Sequence, residues 1–182
     1  MMPEKDNWID RFISHLETLR EQEERGALAA LRRGLGSPLG TVPAMYPHIL
    51  PWAPQNRRAE DACYIVGSLF ALHPEANERG NLGTAFKTMK SLEERSGRKE
   101  HESLEKRFVA LLNCNRDDLP YHLRQAVSLL KAKDVPVNWQ QLLRDILNWD
   151  HEARFVQQKW AREFWQGAVR ETEAQEEEMA TS

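Results

Sequence analysis

Apolar residues spaced three and four positions apart recur along almost the whole of this 182-residue chain. That spacing lines one face of an α-helix, whereas a half-buried strand needs strict alternation, and no segment alternates convincingly. The stretch from Leu104 to Gly167 shows the helical pattern most clearly and ends in an aromatic cluster. The sequence therefore predicts an all-α fold of about eight or nine helices.

A polar stretch at 93–103 (EERSGRKEHES) has no apolar anchor and divides the pattern into two predicted helical lobes. The first lobe, 1–98, includes a proline-rich segment at 37–56. This segment can hold at most one short helical turn, around 44–50, and its apolar side chains predict an ordered loop packed on the helices. The second lobe, 99–167, is predicted to contain four helices, and 168–182 to form an acidic, disordered tail.

Some local features can be predicted within the lobes. A short helix is expected at Ala27–Leu35, and a later helix should be capped by Asp117 with Pro120 in its first turn. Four of the six tryptophans fall in the last part of the chain, at helical spacing. A role in the core or in an interface is favoured for them over stacking on bases. They are Trp139, Trp149, Trp160 and Trp165.

The net charge of −3 does not decide whether the chain binds nucleic acid. Residues 170–182 hold one arginine and five glutamates, so that residues 1–169 carry a net charge of +1. Seventeen of the 25 basic residues are arginines. Arginine offers a planar set of donors suited to phosphate, so this bias is suggestive of phosphate binding.

The sequence offers no pattern for catalysis or metal binding. The six histidines lack metal-ligand spacing, and the glycine-bearing segment at 34–40 lacks the Lys-Ser/Thr pair of a phosphate-binding loop. Cys63 and Cys114 are predicted to be buried free thiols. The start of the chain has no signal-peptide pattern, and no apolar run is long enough to cross a membrane. We therefore expect a cytoplasmic protein that is not an enzyme and has no metal, cofactor, small-molecule substrate or membrane partner.

Three arginines lie within an 18-residue window on two successive predicted helices. Arg107 and Arg124 flank the apolar stripes of their helices, where an arginine can bind phosphate or simply lay its stem on the core. Arg116 precedes a helix start, where backbone N–H groups favour an anion, but it could instead pair with Asp117 or Asp118. If the three arginines share one face, that face would bind phosphates without sequence preference.

Other basic residues are weaker candidates for contact with nucleic acid. The adjacent pairs Arg32–Arg33 and Arg57–Arg58 lie at or near helix ends beside the proline-rich segment, and as isolated features they are more typical of solvated pairs. Arg144 belongs to the third helix of the second lobe.

The order of short motifs resembles a known family. Within residues 104–166 the chain reads KRF, ALL, NRDDL, LRQAV and LLRDILNW, and ALAALRRGLG, PAMYPHILPW and NLGTAFKTM precede them. This series resembles CasB, the small subunit of the type I-E CRISPR surveillance complex Cascade. The resemblance implies a non-catalytic, two-lobed all-α protein that works as two copies side by side beside other Cascade subunits. It also implies contact with the guide RNA–target DNA duplex and the displaced strand (the R-loop), in antiviral defence.

The resemblance also selects site residues. The family's basic positions match this chain at Arg32, Arg33, Arg57, Arg107, Arg116 and Arg124. Members of the family often carry a basic residue where this chain has Thr84, and Lys87 could reach the same place from the next turn. The main alternative is a helical scaffold that binds only protein, with its arginines committed to ion pairs.

Overall fold

The computed structural model describes residues 7–97 and 101–166, with side chains at 8–97 and 102–166. The all-α prediction is confirmed: these residues form α-helices, one 3-10 helix at Pro43–Met45 and an isolated β-bridge. The α-helices are α1 (Asn7–Glu21), α2 (Arg25–Arg32), α3 (Tyr46–Ile49), α4 (Arg57–Leu72), α5 (Leu82–Arg95), α6 (His101–Asn113), α7 (Leu119–Ala132), α8 (Trp139–Leu147) and α9 (155–166). The predicted acidic tail at 168–182 lies outside the described residues.

Helix α4 is the central element of the fold. It packs against α1, α2, α3, α7 and α8. All of its residues from Ala62 to Ala71 are buried, including Gly67 and Ser68. A helix that is apolar on all sides must be covered on all sides, so the other helices are arranged around α4.

The C-terminal aromatic residues form core, as predicted. Trp139, Trp149 and Trp160 are at most 2% exposed, and the indole rings of Trp149 and Trp160 lie 5.0 Å apart. Trp165 is partly buried and packs on the ring of Phe108. Because the three buried tryptophans are covered by protein, they are not platforms for bases.

Two loops are joined beside α4 by a short parallel pairing. The N–H of Val137 donates to the carbonyl of Glu75, and the N–H of Asn77 donates to the carbonyl of Val137, both at 3.1 Å. The buried ring of His73 forms a 2.8 Å hydrogen bond with the carbonyl of Val135. These bonds fasten the end of α4 to the segment before α8.

Three predicted helix boundaries differ from the structure. Helix α2 begins at Arg25 and not at Ala27. Helix α2 ends at Arg32 and not at Leu35, because the N–H groups of Gly34 and Leu35 bond to carbonyls three residues back, as in a 3-10 turn. Asp117 is not the cap of α7: the cap position is Asp118, without a side-chain bond, and Asn115 accepts the N–H of Asp118. Pro120 does lie in the first turn, where it removes one of the N–H groups that a cap would satisfy.

The proline-rich segment holds its helical turn where predicted, in the 3-10 helix and α3. Met45 and Ile49 are buried in the core, whereas Leu50 and Trp52 are exposed. One hydrophobic cluster extends from Ile9 to Phe164. Helix α8 packs on α1 and α4, across the predicted division of the chain near residue 98. The two-lobe organisation stays a prediction, since 98–100 lie outside the described residues.

Buried Asp145 makes stability depend on pH. It is 5% exposed and accepts hydrogen bonds from the Trp160 indole at 2.7 Å and the Gln141 amide at 2.8 Å. Burial raises the pKa of Asp145, against the opposing effect of these bonds and of the cations Lys159 and Arg144. A raised folded-state pKa means that the folded state holds the proton more tightly than the unfolded state. The contribution of this group to stability is therefore lost as pH rises from its ordinary pKa through the folded value.

We expect Asp145→Asn, which cannot ionise, to gain stability relative to the natural protein as pH rises. The amide oxygen can still accept the Trp160 indole N–H, and Gln141 can turn its amide to accept from the new NH2 group. Urea unfolding of both proteins between about pH 4 and 8 measures the difference in free energy of unfolding. A difference that is constant with pH, or that shifts the other way, would contradict the assignment.

Candidate nucleic-acid interface

A groove of about 660 Å³ opens between the turn after α2 and the start of α7. We call it the wide groove. One wall is the turn Gly34–Leu39, and the apolar floor includes Ile65 and Leu69 of α4. Its other lining residues are Arg57, Asp61, Ser68, Arg116, Asp117, Pro120, Tyr121 and Arg124. Three of the nine predicted site residues are thus brought to one concave surface.

Arg124 is the exposed cation of this groove, and the fold positions its head group. Gly36, in the opposite wall, has φ +80°, and a Cβ added there would lie 2.8 Å from Nη1 of Arg124. A positive φ of this kind favours glycine, and the guanidinium of Arg124 would have to shift to admit a side chain at position 36. The turn thus makes room for a guanidinium that remains accessible to solvent and to a phosphate.

Arg57 stands at the rim of the wide groove, at the first position of α4. Its side chain is 93% exposed, and its Nε lies 3.7 Å from Asp61 one turn away. An exposed pair of this kind contributes little to stability, so Arg57 can exchange Asp61 for another anion at low cost.

Arg116 is held by the protein itself. Its side chain is 24% exposed; Nη1 donates to the carbonyl of Ile146 at 3.0 Å and lies 3.6 Å from Asp150. The ion-pair partner is therefore Asp150 and not Asp117 or Asp118. Nη2 of Arg116 is buried without a partner among the described residues.

Arg58 meets the same carboxylate from the start of α4. Its Nη2 donates to Asp150 at 3.0 Å, and its Nε donates to the carbonyl of Leu147 at 2.9 Å. Arg58 and Arg116 thus both bind the C-terminal end of α8, where the unpaired carbonyls and the helix dipole favour cations. The geometry gives both arginines a structural role.

Arg144 joins helices in a similar way. Its Nη2 donates to Asp10 at 3.2 Å, which ties α8 to α1. Its side chain is one-third exposed.

Arg107 lies on the exposed side of α6 and lines a second groove, of about 310 Å³, which we call the narrow groove. The narrow groove is formed by α5, α6 and α7 and also includes Phe86, His122 and Leu129. Tyr121 lines both grooves. Arg107 is therefore not in the groove of Arg124, but the two grooves adjoin at this ring.

The remaining candidates lie outside these linings. Arg32 and Arg33 are exposed at the end of α2, immediately before the wall of the wide groove. Lys87 is partly buried on α5. Thr84 closes a capping box with Asn81 at the start of α5. The side chain of Thr84 therefore stabilises the start of α5 and supplies no positive charge there.

The described residues hold no group of three or more metal-ligating side chains. Cys63 and Cys114 are buried free thiols, as predicted, and burial raises the pKa of both, that of Cys114 to about 11. Such thiols are protonated at neutral pH and poor nucleophiles. No helix in the described part of the chain is long and apolar enough to span a bilayer.

Three residues that contact or adjoin the predicted arginines were not among the predicted site residues. Asp150 lies 34 residues from Arg116 and 92 from Arg58, so no local pattern connects it to either. Gly36 carried a usable signal, because a glycine after a short helix often marks a positive φ. Tyr121 carried none, since the helical pattern places it beside apolar neighbours without showing that nothing covers it.

The fold and the two grooves describe an all-α protein with exposed arginines around adjoining grooves. Comparison with known proteins identifies the family. The model of the family "CRISPR-associated protein Cse2" matches residues 27–165. The Cse2 protein of Thermus thermophilus is 33% identical over 175 residues, covering 92% of this chain and 96% of the relative. This chain belongs to the Cse2 family.

Solved structures agree with this assignment. The crystal structure of CasB from M. ruber has a TM-score of 0.74 at 31% identity, covering 92% of this chain and 97% of the other. A chain of a CRISPR RNA-guided surveillance complex has a TM-score of 0.76 at 27% identity, covering 93% and 98%. The resemblance to CasB seen in the short motifs is confirmed.

Proposed function

We propose that this protein is a non-catalytic small subunit of a type I-E CRISPR RNA-guided surveillance complex, in which it binds nucleic-acid backbone without sequence preference. Membership of the Cse2 family and the similarity to a chain of such a complex support the assembly. Within this proposal its partners are the other subunits, a second copy of itself, and the guide RNA and target DNA.

The observation that carries nucleic-acid binding is the pair of adjoining grooves with exposed arginines. Arg57 and Arg124 border the wide groove and Arg107 the narrow groove; all three are exposed, and Arg57 also forms an ion pair with Asp61. Guanidinium groups form charge-assisted bonds with phosphate oxygens, which are the same at every position of a target.

A modest contribution from such contacts is sufficient for function. Opening a DNA duplex against a guide exchanges one set of base pairs for another of similar stability. Binding the guide–target duplex or the displaced strand by its phosphates therefore shifts the balance toward the open R-loop. No catalytic group is required for this role.

The structure also contains an observation that favours a second function. Arg58, Arg116 and Arg144 are engaged with Asp150, Asp10 and helix carbonyls. If the exposed arginines likewise serve protein contacts, the chain would be a helical scaffold subunit without direct contact with nucleic acid.

Salt dependence of binding distinguishes these functions. We expect the full-length protein to bind short labelled DNA strands of unrelated sequence equally and weakly. Log K should fall with log salt at a slope of about −2 to −3.5, for roughly three to five neutralised phosphates of a single strand. Fluorescence anisotropy between about 50 and 200 mM NaCl measures this slope. A flat salt response, or no binding at any salt concentration, would favour the scaffold.

A further inference from the structure

Tyr121 carries an aromatic ring that the folded chain leaves in solvent. The residue is 64% exposed, the highest value among the exposed large apolar residues of the described part of the chain. Its ring meets the edge of the neighbouring His122, with 5.4 Å between centroids. Single exposed apolar residues are common, so exposure by itself carries no inference. The position of the Tyr121 ring, which lines both grooves, does support an inference.

Tyr121 stands where the two arginine-bearing grooves adjoin. It lines the wide groove together with Arg124, which follows one turn later on α7. It also lines the narrow groove together with Arg107 of α6. A chain of phosphates running from one arginine to the other would pass this ring.

The surface around the ring is also suited to bases. Pro120 provides partly exposed apolar surface in the wide groove, and Leu129 does so in the narrow groove, whereas Ile65, Leu69 and Phe86 of the linings are buried. Apolar surface interrupted by cations is the composition of a single-strand binding groove, in which arginines hold the backbone and aromatic rings stack on bases.

We propose that Tyr121 stacks on an unpaired base of a single-stranded nucleic acid whose phosphates are held by Arg107 and Arg124. This inference rests on the proposed function and narrows it, because the ligand at this place is a single strand. In a duplex each base face is already stacked on its neighbours, whereas an unpaired base offers a face to the ring. Every base has such a face, so the contact carries no sequence preference.

The test compares a short labelled oligothymidine, an abasic strand with the same phosphates, and a duplex, each bound to the full-length protein at low salt. Tyr121→Ala should weaken oligothymidine binding by about 5- to 150-fold and leave duplex binding unchanged. Tyr121→Phe, which keeps the ring, should bind like the natural protein. The abasic strand should bind the natural protein and Tyr121→Ala equally. Val109→Ala, at another exposed apolar site, is the matched control and should change nothing.

Further outcomes separate this inference from the proposed function. If Tyr121→Ala binds oligothymidine like the natural protein while Arg124→Ala binds weakly, the stacking is refuted and backbone binding stands. Equal affinity of the natural protein for oligothymidine and the abasic strand refutes the stacking without recourse to any variant. If the natural protein binds none of the three, both proposals fail. If Tyr121→Ala impairs only assembly of the surveillance complex, the ring contacts protein and the inference is overturned.

Discussion

Gly83→Ala is expected to lower the free energy of unfolding by about 3 kcal/mol or more, and the melting temperature by roughly 6–12 °C. A Cβ at this position of α5 would lie 2.0 Å from the carbonyl oxygen of Trp160 and 2.7 Å from the carbonyl carbon. These are backbone atoms of α9, so no change of rotamer can relieve the clash. Helices α5 and α9 would have to separate, which opens the aromatic core between them. Urea and thermal unfolding measure the effect.

Gly26→Ala is the matched control, because it introduces the same methyl group into helix α2. Nothing lies within 4 Å of the added Cβ, so this variant should gain up to about 1 kcal/mol from helix propensity. If Gly83→Ala and Gly26→Ala have the same free energy of unfolding, the close contact between Gly83 of α5 and the backbone of Trp160 in α9 is contradicted.

The double variant Arg107→Ala/Arg124→Ala is expected to lose about two to four orders of magnitude in affinity for nucleic acid. Each substitution removes a charge-assisted contact whose loss weakens binding by about 10- to 150-fold. Because both side chains are exposed, the melting temperature should stay close to that of the natural protein. Anisotropy with labelled single strands measures affinity, and target DNA opening by the reconstituted complex measures the functional consequence.

A charge-matched control separates local contacts from net charge. Arg20→Ala/Arg79→Ala removes two positive charges that line neither groove and should bind nearly normally. If both double variants lose affinity equally, binding follows net charge and not these grooves. If the Arg107/Arg124 variant instead melts many degrees lower, these arginines are structural and the scaffold function is favoured.

Whereas the Arg107→Ala/Arg124→Ala variant should lower the affinity for nucleic acid, Arg116→Ala should lower the stability of the protein. It removes the donor of the Ile146 carbonyl and a partner of Asp150, and should lower the free energy of unfolding by about 1–3 kcal/mol. A loss of affinity in this variant would therefore need correction for its lower stability. The resemblance to CasB selected Arg116 as a site residue, but the contacts of its side chain in the structure are within the protein.

The helices and most of the core residues could be predicted from local patterns in the sequence. The stripe of Ala62, Ile65, Val66, Leu69 and Phe70 predicts α4, and all five residues are buried. The helical spacing of the tryptophans predicts core in the same way. Both predictions succeed because hydrophobic periodicity is a local property that burial against any neighbour satisfies. The short motifs were sufficient to recognise the family.

Which arginines face solvent depends on tertiary contacts that no local pattern shows. Periodicity orients a side chain on its own helix but does not say which distant element covers it. Arg116 was predicted to meet a phosphate or a neighbouring aspartate, and instead meets the end of α8 and Asp150. Arg124, on the edge of a similar stripe, remains exposed, and its head group approaches Gly36 in the opposite wall of the wide groove. Arg116 and Arg124 differ in exposure because of contacts between residues far apart in the chain, and helical periodicity describes only residues that are near one another in the sequence.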